Sequence, residues 1–361
     1  MAESAWRRIS TAELDAWDDR LLEAQAPFSQ LSYWNEPYRY LHLEPVYLVR
    51  GPAGAETEAA CVLVAGVPGF RFGTVQKGPV SLVPGKAIYD RALDDLRCWA
   101  LSENLVFLRV LSFDRSLAEE MSTLRSTRRV DPLPFWHGVS GTALLVDLDR
   151  DEQKMLSGFQ SIARYEIRAA TKAGYEIASH DDPEVLRHAW HLLDGLAARK
   201  GISFSRPFES WADMIRRGQR RQTVNVYTAS LAGKVVQFIL IVRDANTAEY
   251  ILGALDLDAV RGKASPACLL HWHAMRDSLR LGCRRYDLGP PSGPVFEFKR
   301  KFRPTIVAEQ PVITFLPSHL RYQVWSRLML EVVVPNWPQV RSAVSWGAGV
   351  LRRLNRRLPV P

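Results

Sequence analysis

The most regular apolar pattern in the chain lies between Thr223 and Asp256. "TVNVYTASLAGKVVQFILIVRDANTAEYILGALD" holds three runs rich in Val, Ile, Leu, Tyr and Phe, parted by "LAGK" and "RDANTA". Such runs, punctuated by turn formers, predict a three-stranded antiparallel meander. Upstream, "EPVYLVRG" and "EAACVLVAGVPG" predict a hairpin, followed by "FRFGTVQKGPV". "LVFLRVLSF", "GTALLVDLD", "YEIASH" and "RRYDLG" are shorter runs that read as further strands. Helical patterning occupies the stretches between them. "TAELDAWDDRLLEAQ" reads as a helix with Thr11 as N-cap and Asp15 as its capping acid. "KAIYDRALDDLRCWALSEN" carries Ile88, Leu93, Leu96 and Trp99 near helical spacing. "DEQKMLSGFQSIARYEIRAATKAG" predicts one long helix ended by Gly174. "PEVLRHAWHLLDGLAARKG" and "PACLLHWHAMRDSLRLGC" predict two more.

The order of these elements is informative. The first half runs helix, antiparallel strands, helix, strand, which is an α+β order and not a doubly wound one. The second half runs helix, helix, three antiparallel strands, helix, strand. That is the order of the N-acetyltransferase (GNAT) fold, and the first half is a looser copy of it. With 361 residues, two domains are expected. The predicted organisation is two tandem GNAT-like domains with mixed central sheets, at 1–145 and 146–316. A basic amphipathic helical tail follows at 317–361, packing partly on the first domain.

Charge changes this picture at one end. Of a net +8, most sits beyond Leu320, where seven arginines face the single acid Glu331. Those arginines, with Trp325, Trp337 and Trp346, suggest an acidic surface as partner, either anionic lipid or RNA. The alternative is a helix pair that the arginines keep soluble. No apolar run approaches the ~20 residues needed to span a bilayer, and "MAESAWRRIS" lacks the apolar core of a secretory signal. A cytoplasmic protein is expected, in peripheral contact with the inner face of the membrane if the tail binds lipid. Cys61, Cys98, Cys268 and Cys283 form no CxxC pair, so reduced, mostly buried thiols are expected.

Candidate chemistry is sparse. Arg164, Arg168 and Lys172 recur every fourth residue and stack on one helix face, a ridge suited to a phosphate-bearing ligand or to plain solvation. The turn "VRGKASPA" has one glycine and lacks a full pyrophosphate cradle, which disfavours a simple acetyl-CoA enzyme. No P-loop and no GxSxG elbow is present. His188 and His191 lie three apart with no third ligand nearby. His271 and His273 lie two apart on a helix and face different ways, so no metal site is expected. The stretch "DLGPPSGPVFEFKRKF" sets Lys299, Arg300 and Lys301 between Phe298 and Phe302 after a Pro/Gly-rich loop. It reads either as a solvated hairpin or as a lysine aimed into a cleft.

Several segments, taken in order, resemble the Fem aminoacyltransferases, tandem GNAT-fold enzymes that use aminoacyl-tRNA. They are "KGPV" (Lys77 to Val80), "LVFLRV" (Leu105 to Val110, with Arg109), "ARYEIRAATKAGYEI", "ARKGISFSRPFESW" and "GCRRYDLG…FEFKRKF". The resemblance implies transfer of an amino acid from aminoacyl-tRNA to a peptidoglycan-precursor stem peptide, with no other cofactor. It implies that Phe298 and Lys299 lie in the substrate channel, with Lys299 catalytic. Arg206 falls where a phosphate-bearing acceptor is held. Arg39, Arg109, Arg164, Arg168, Lys172 and Lys301 are the other expected substrate-binding residues. Leu111-Ser112 stand where the family often has an acid and a proline. "SYWNEPYRYL" offers Arg39 in place of a lysine, and no inserted helical arm is present. Three functions stay open on the residues: tRNA-dependent amide formation on this or another amine, acyl-CoA-dependent N-acylation, and a non-catalytic RNA- or membrane-surface-binding role.

Overall fold

The computed structural model describes residues 6–66, 69–83, 90–111, 127–129, 142–201, 206–291, 295–307, 313–315 and 319–328. The repeat expected from the sequence is present in two sheets. In the first, β1 (Arg7–Arg8), β2 (Glu44–Arg50), β3 (Glu58–Ala65) and β4 (Phe72–Gln76) run antiparallel, and a short β5 (Val80–Ser81) also pairs with β3. In the second, β10 (Val224–Leu231), β11 (Lys234–Arg243) and β12 (Thr247–Leu255) form the expected meander, with β9 (Glu176–His180) on its edge. Each antiparallel set then gains a parallel neighbour, which requires a crossover. Helix α2 (Asp90–Ser102) carries the chain to β6 (Leu108–Leu111), parallel to β4. Helix α7 (Ala267–Arg280) carries it to β13 (Arg285–Asp287), parallel to β12. The molecule is therefore α+β, with two mixed sheets of the same internal order.

The chain crosses between the sheets more than once. β8 (Ala143–Asp147) pairs with β13 and with β14 (Thr305–Val307) in the second sheet. β15 (Ile313–Phe315) returns to the first sheet, between β6 and β7 (Thr127–Arg129). The middle layer is shared. Trp17 and Leu21 of α1 (Leu14–Glu23), with Phe28, Leu31 and Tyr33, pack in one cluster with Leu192, Trp211, Phe238 and Leu240. β11 reads "KVVQFILIVR" because both its faces are covered. Phe238, Leu240 and Val242 enter this shared layer, while Ile239 and Ile241 enter the core beneath α7.

Three local expectations are corrected. Ser10, not Thr11, caps the helical run, through a 3-10 turn (Thr11–Glu13) that leads into the first helix: Glu13 accepts from the Ser10 backbone N–H at 2.7 Å and from its Oγ at 2.9 Å. The predicted long helix is two, α3 (Glu152–Gly158) and α4 (Ser161–Lys172), parted by extended backbone at Phe159 and Gln160. Phe159 leaves the helical path to pack edge-on against Trp272 and Phe302, and Gln160 donates to the carbonyls of Arg300 and Lys301. The pattern predicts no element between Gly201 and Thr223, yet α6 (Phe208–Gln219) forms there, after α5 (Pro183–Lys200). Its buried Trp211, Ala212, Met214, Ile215 and Gly218 make a helical face. Three thiols are buried and Cys98 is exposed. Helix α9 (His319–Arg327) sets Trp325 against Phe72 and Phe107 of the first domain. The basic stretch holding Trp346 and Arg352 to Arg357 lies outside the described residues.

One surface loop is tied down by charge. Glu56, between β2 and β3, accepts from Arg7 and Arg20 and from the Gly54 N–H. Burial opposes its charge, but the backbone and arginine donors hold the carboxyl down to about 2, from 4.5. A carboxyl lowered on folding stabilises above about pH 4.5, and that stabilisation fades as pH falls toward 2. Both arginine side chains are 41% exposed, which discounts the shift to about 2 kcal/mol. Glu56→Gln is expected to lower stability at pH 7 by about that amount. It should also flatten the acid limb of thermal melts taken across pH.

Candidate active site

The second sheet opens at one place. β12 pairs with β11 from Ala248 to Leu255, but with β13 only over Thr247–Glu249. Beyond Glu249 the two parallel strands part, because β13 ends at Asp287 and Gly289 turns the chain away with φ +74°. A one-residue bulge at Ile251, opposite Leu240 and Ile241, adds a local kink on the β12 side. The result is a wedge-shaped gap whose apex is the Glu249–Asp287 pair.

Charged groups collect at that apex. Lys77, at the end of β4, places its Nζ 2.8 Å from Glu249 Oε2 and so joins the two domains. Asp287 Oδ1 accepts from the N–H groups of Gly289 (2.7 Å) and Leu144 (3.2 Å). Lys299, on the short helix α8 (Val295–Arg300), is 5% exposed and donates to the Pro290 carbonyl at 2.9 Å. Its Nζ lies 3.6 Å from where a Cβ on Gly289 would stand, an ordinary contact, so it is the φ of +74° that favours glycine at this turn. His271 of α7 completes the wall. Its Nδ1 is 2.9 Å from the Tyr286 hydroxyl, and its ring meets Tyr250, Phe298 and Phe302.

Burial dominates the electrostatics. It pushes the Asp287 carboxyl up to about 6; repulsion from Glu249 adds to this, and Lys77 with the two N–H donors opposes it. It lowers Lys299, against the attraction of Asp287 and Glu249. Burial and then the Lys299 charge take His271 down to about 3, so the imidazole is neutral at pH 7. For Lys77 burial again opposes the charge, but Glu249, Asp287 and Asp244 prevail and its pKa is raised. The site thus holds one firm ion pair and, deeper, an ammonium and a carboxyl each shifted toward neutrality.

The expected site residues fall in several places. Phe298 and Lys299 line the gap. Lys301 turns to α4 and bonds Glu166 at 2.6 Å, while Arg300 stays at the surface with Glu297. On the ridge, Arg164 is taken up by the carbonyls of Ser157 and Phe159, closing the end of α3; Arg168 and Lys172 are exposed. Arg39 pairs with the buried Glu36. Arg109, 3% exposed, lies under Tyr322 and over the Phe107 ring, with Nε and Nη2 unpartnered among the described residues. Arg206 is 7% exposed and sits in an aromatic box, its guanidinium 4.2 Å from the Trp211 ring, 4.8 Å from Tyr38 and 5.2 Å from Trp34. It donates to Ser210 Oγ at 2.8 Å, but Nη2 has no partner among the described residues.

The sequence pattern gives no role to Lys77, Glu249, Asp287, Tyr250 or His271. Signals for two of them exist. Glu249 interrupts an apolar strand one residue before an aromatic, and Asp287 ends "RRYD" just before a loop. Neither shows that the two face each other, since 38 positions separate them and their pairing depends on the crossover helix. Among the described residues no group of three His, Cys, Asp or Glu side chains is placed to hold a metal ion.

Comparison with known proteins agrees with this architecture. Residues 157–300 match the family described as Acetyltransferase (GNAT) domain. No curated protein matches the chain. Among solved structures, that of FemX superposes with a TM-score of 0.73 at 12% identity, covering 88% of this chain and 99% of FemX. A domain assigned as the C-terminal part of a lysylphosphatidylglycerol synthetase from Agrobacterium fabrum gives 0.57 at 15% identity, over 89% and 98% of the two chains. A tandem GNAT protein from the clavulanic acid biosynthesis pathway gives 0.52 at 13%, over 88% and 99%. The protein has a Fem-like tandem GNAT fold.

Proposed function

We propose that this protein is an aminoacyltransferase that moves an amino acid from aminoacyl-tRNA to an amine acceptor, most specifically the stem peptide of a peptidoglycan precursor. The observation that carries the proposal is Lys299, a buried ammonium held at the wedge between β12 and β13 with a single hydrogen bond among the described residues. Attack of an amine on an ester builds negative charge on the carbonyl oxygen. A fixed ammonium in a dry site stabilises that charge far more than water-exposed lysine does. Aminoacyl-tRNA is itself the activated ester, so the reaction needs no further cofactor. Arg206 supplies a second requirement, since its Nη2, without a partner among the described residues, suits a phosphate oxygen of the acceptor. Likeness to FemX across nearly the whole chain supports the same reading.

The work is placed on the cytoplasmic side, where charged tRNA is found. No helix among the described residues is long and apolar enough to cross a membrane. Contact with anionic lipid would come through the basic tail. Two other donor–acceptor pairs have specific support. The GNAT family match favours an acyl-CoA donor. The likeness to the lysylphosphatidylglycerol synthetase domain favours phosphatidylglycerol as acceptor.

Mass spectrometry of products decides among them. Purified protein is given charged total tRNA or acetyl-CoA, each with a peptidoglycan-precursor peptide or phosphatidylglycerol vesicles. The expected result is an aminoacyl mass added to the peptide, from charged tRNA alone. An acetyl adduct, or an aminoacyl lipid with unmodified peptide, would replace the proposal with the corresponding alternative.

A further inference from the structure

We propose that Asp287 takes the proton from the attacking amine, and that Lys77 and Glu249 set its readiness to do so. This rests on the aminoacyl-transfer reading above and adds the group that moves the proton. The need is chemical. A primary amine attacking an ester carries one proton too many once the C–N bond forms, and the ribose oxygen that leaves must gain one. Lys299, as an ammonium, stabilises the oxyanion but does not accept that proton.

Three groups at the wedge have lone pairs for the task. His271 is 2% exposed, enclosed by Tyr250, Phe298 and Phe302, and already in contact with the Tyr286 hydroxyl. Burial leaves it a very weak base. Glu249 is bonded to the Lys77 ammonium. Asp287 remains. Two backbone N–H groups fix its Oδ1, so the carboxylate cannot rotate freely, and Oδ2 forms no hydrogen bond among the described residues. No lysine or arginine among the described residues pairs directly with it. It stands on the last rung before the strands part, and Gly289 links it to Lys299: the glycine N–H meets Asp287, and the place a Cβ would take lies 3.6 Å from the Lys299 Nζ. A carboxylate and an ammonium on opposite sides of one opening match the two charges that the reaction develops.

The titratable groups that act on Asp287 come from three other elements and from its own strand. Glu249 comes from β12, Lys77 from the end of β4 and Lys299 from α8, with Tyr286 beside it on β13 and Asp244 acting through Lys77; His271 of α7 stands one layer back, against Tyr250, Tyr286 and the Lys299 charge. Burial and Glu249 raise its proton affinity, and Lys77 limits the rise. A carboxyl near 6 is charged enough at pH 7 to accept a proton and basic enough to make the transfer useful. The step balances. The amine lone pair forms the C–N bond as the carbonyl π pair moves to oxygen beside Lys299. The N–H proton passes to Asp287 Oδ2. The oxyanion then collapses, the C–O bond to the ribose breaks, and the leaving oxygen takes that proton back from Asp287.

The experiment uses the full chain and charged tRNA with an amine acceptor. Wild-type turnover is measured first, because its absence would defeat the aminoacyl-transfer reading itself and this inference with it. Given turnover, kcat/KM is followed across pH for Asp287→Asn, Glu249→Gln and Lys77→Gln, with thermal melts to confirm folding. The wild type is expected to lose rate below pH about 6. Asp287→Asn is expected to be about 100-fold slower and to lack that acid limb. Glu249→Gln is expected to move the limb to lower pH, and Lys77→Gln to higher pH. A folded Asp287→Asn enzyme that keeps its turnover and its limb overturns the proposal. So does a defect that vanishes with an α-hydroxyacyl donor, since Asp287 would then be holding the α-ammonium of the donor.

Discussion

Lys299→Met is expected to lower the transfer rate by at least about 100-fold, with the fold intact. A factor of 100 equals about 2.7 kcal/mol of transition-state stabilisation, the amount typical of one oxyanion donor. Among the described residues the lysine makes a single hydrogen bond, to the Pro290 carbonyl, and no direct ion pair, so its removal orphans one acceptor there. Burial already disfavours its ammonium, and a methionine of similar length avoids that cost. The thermal midpoint should therefore hold steady or rise slightly while kcat falls. Single-turnover kinetics with pre-bound charged tRNA separates the chemical step from donor binding. Near-normal turnover in the folded variant would remove Lys299 from the reaction.

Arg206→Met is expected to weaken binding of a phosphate-bearing acceptor by about 10- to 100-fold, which is about 1.4–2.8 kcal/mol, with little change in kcat. The argument turns on what the arginine gives the free protein. It lies in an aromatic box with one hydrogen bond to Ser210, no carboxylate partner and an unpartnered Nη2 among the described residues. A buried donor without a partner costs about 1–3 kcal/mol, which stacking on three rings offsets only in part. Burial also pulls its pKa below the usual value. Stability should thus change by less than about 1 kcal/mol, while the missing guanidinium is felt only when an anion arrives. Isothermal titration with the acceptor, beside thermal melts, measures both. A large stability loss with unchanged affinity would make Arg206 a packing residue.

The sequence by itself determined the skeleton of this protein. Alternating and continuous apolar runs gave the meander and the paired strands, and turn residues such as "LAGK" marked where they reverse. Helical spacing located α2, α5 and α7. The repeated order of elements gave two mixed sheets of one type, since local periodicity reports which faces are buried. The ordered segments ending in "FEFKRKF" also singled out Lys299. What local pattern could not report was competition between distant groups. The break at Phe159 exists because Trp272 and Phe302 offer a better place for its ring than the helix does. Arg164 looks like one cation of three until the carbonyls of Ser157 and Phe159 claim it. The charged apex was invisible for the same reason. Asp287 and Lys299 share one segment, but Lys77 and Glu249 lie far from it along the chain, and only the parallel closure of β13 on β12 and the packing of the first domain on the second bring all four together. The shifted proton affinities of Asp287 and Lys299 follow from burial that no single segment contains.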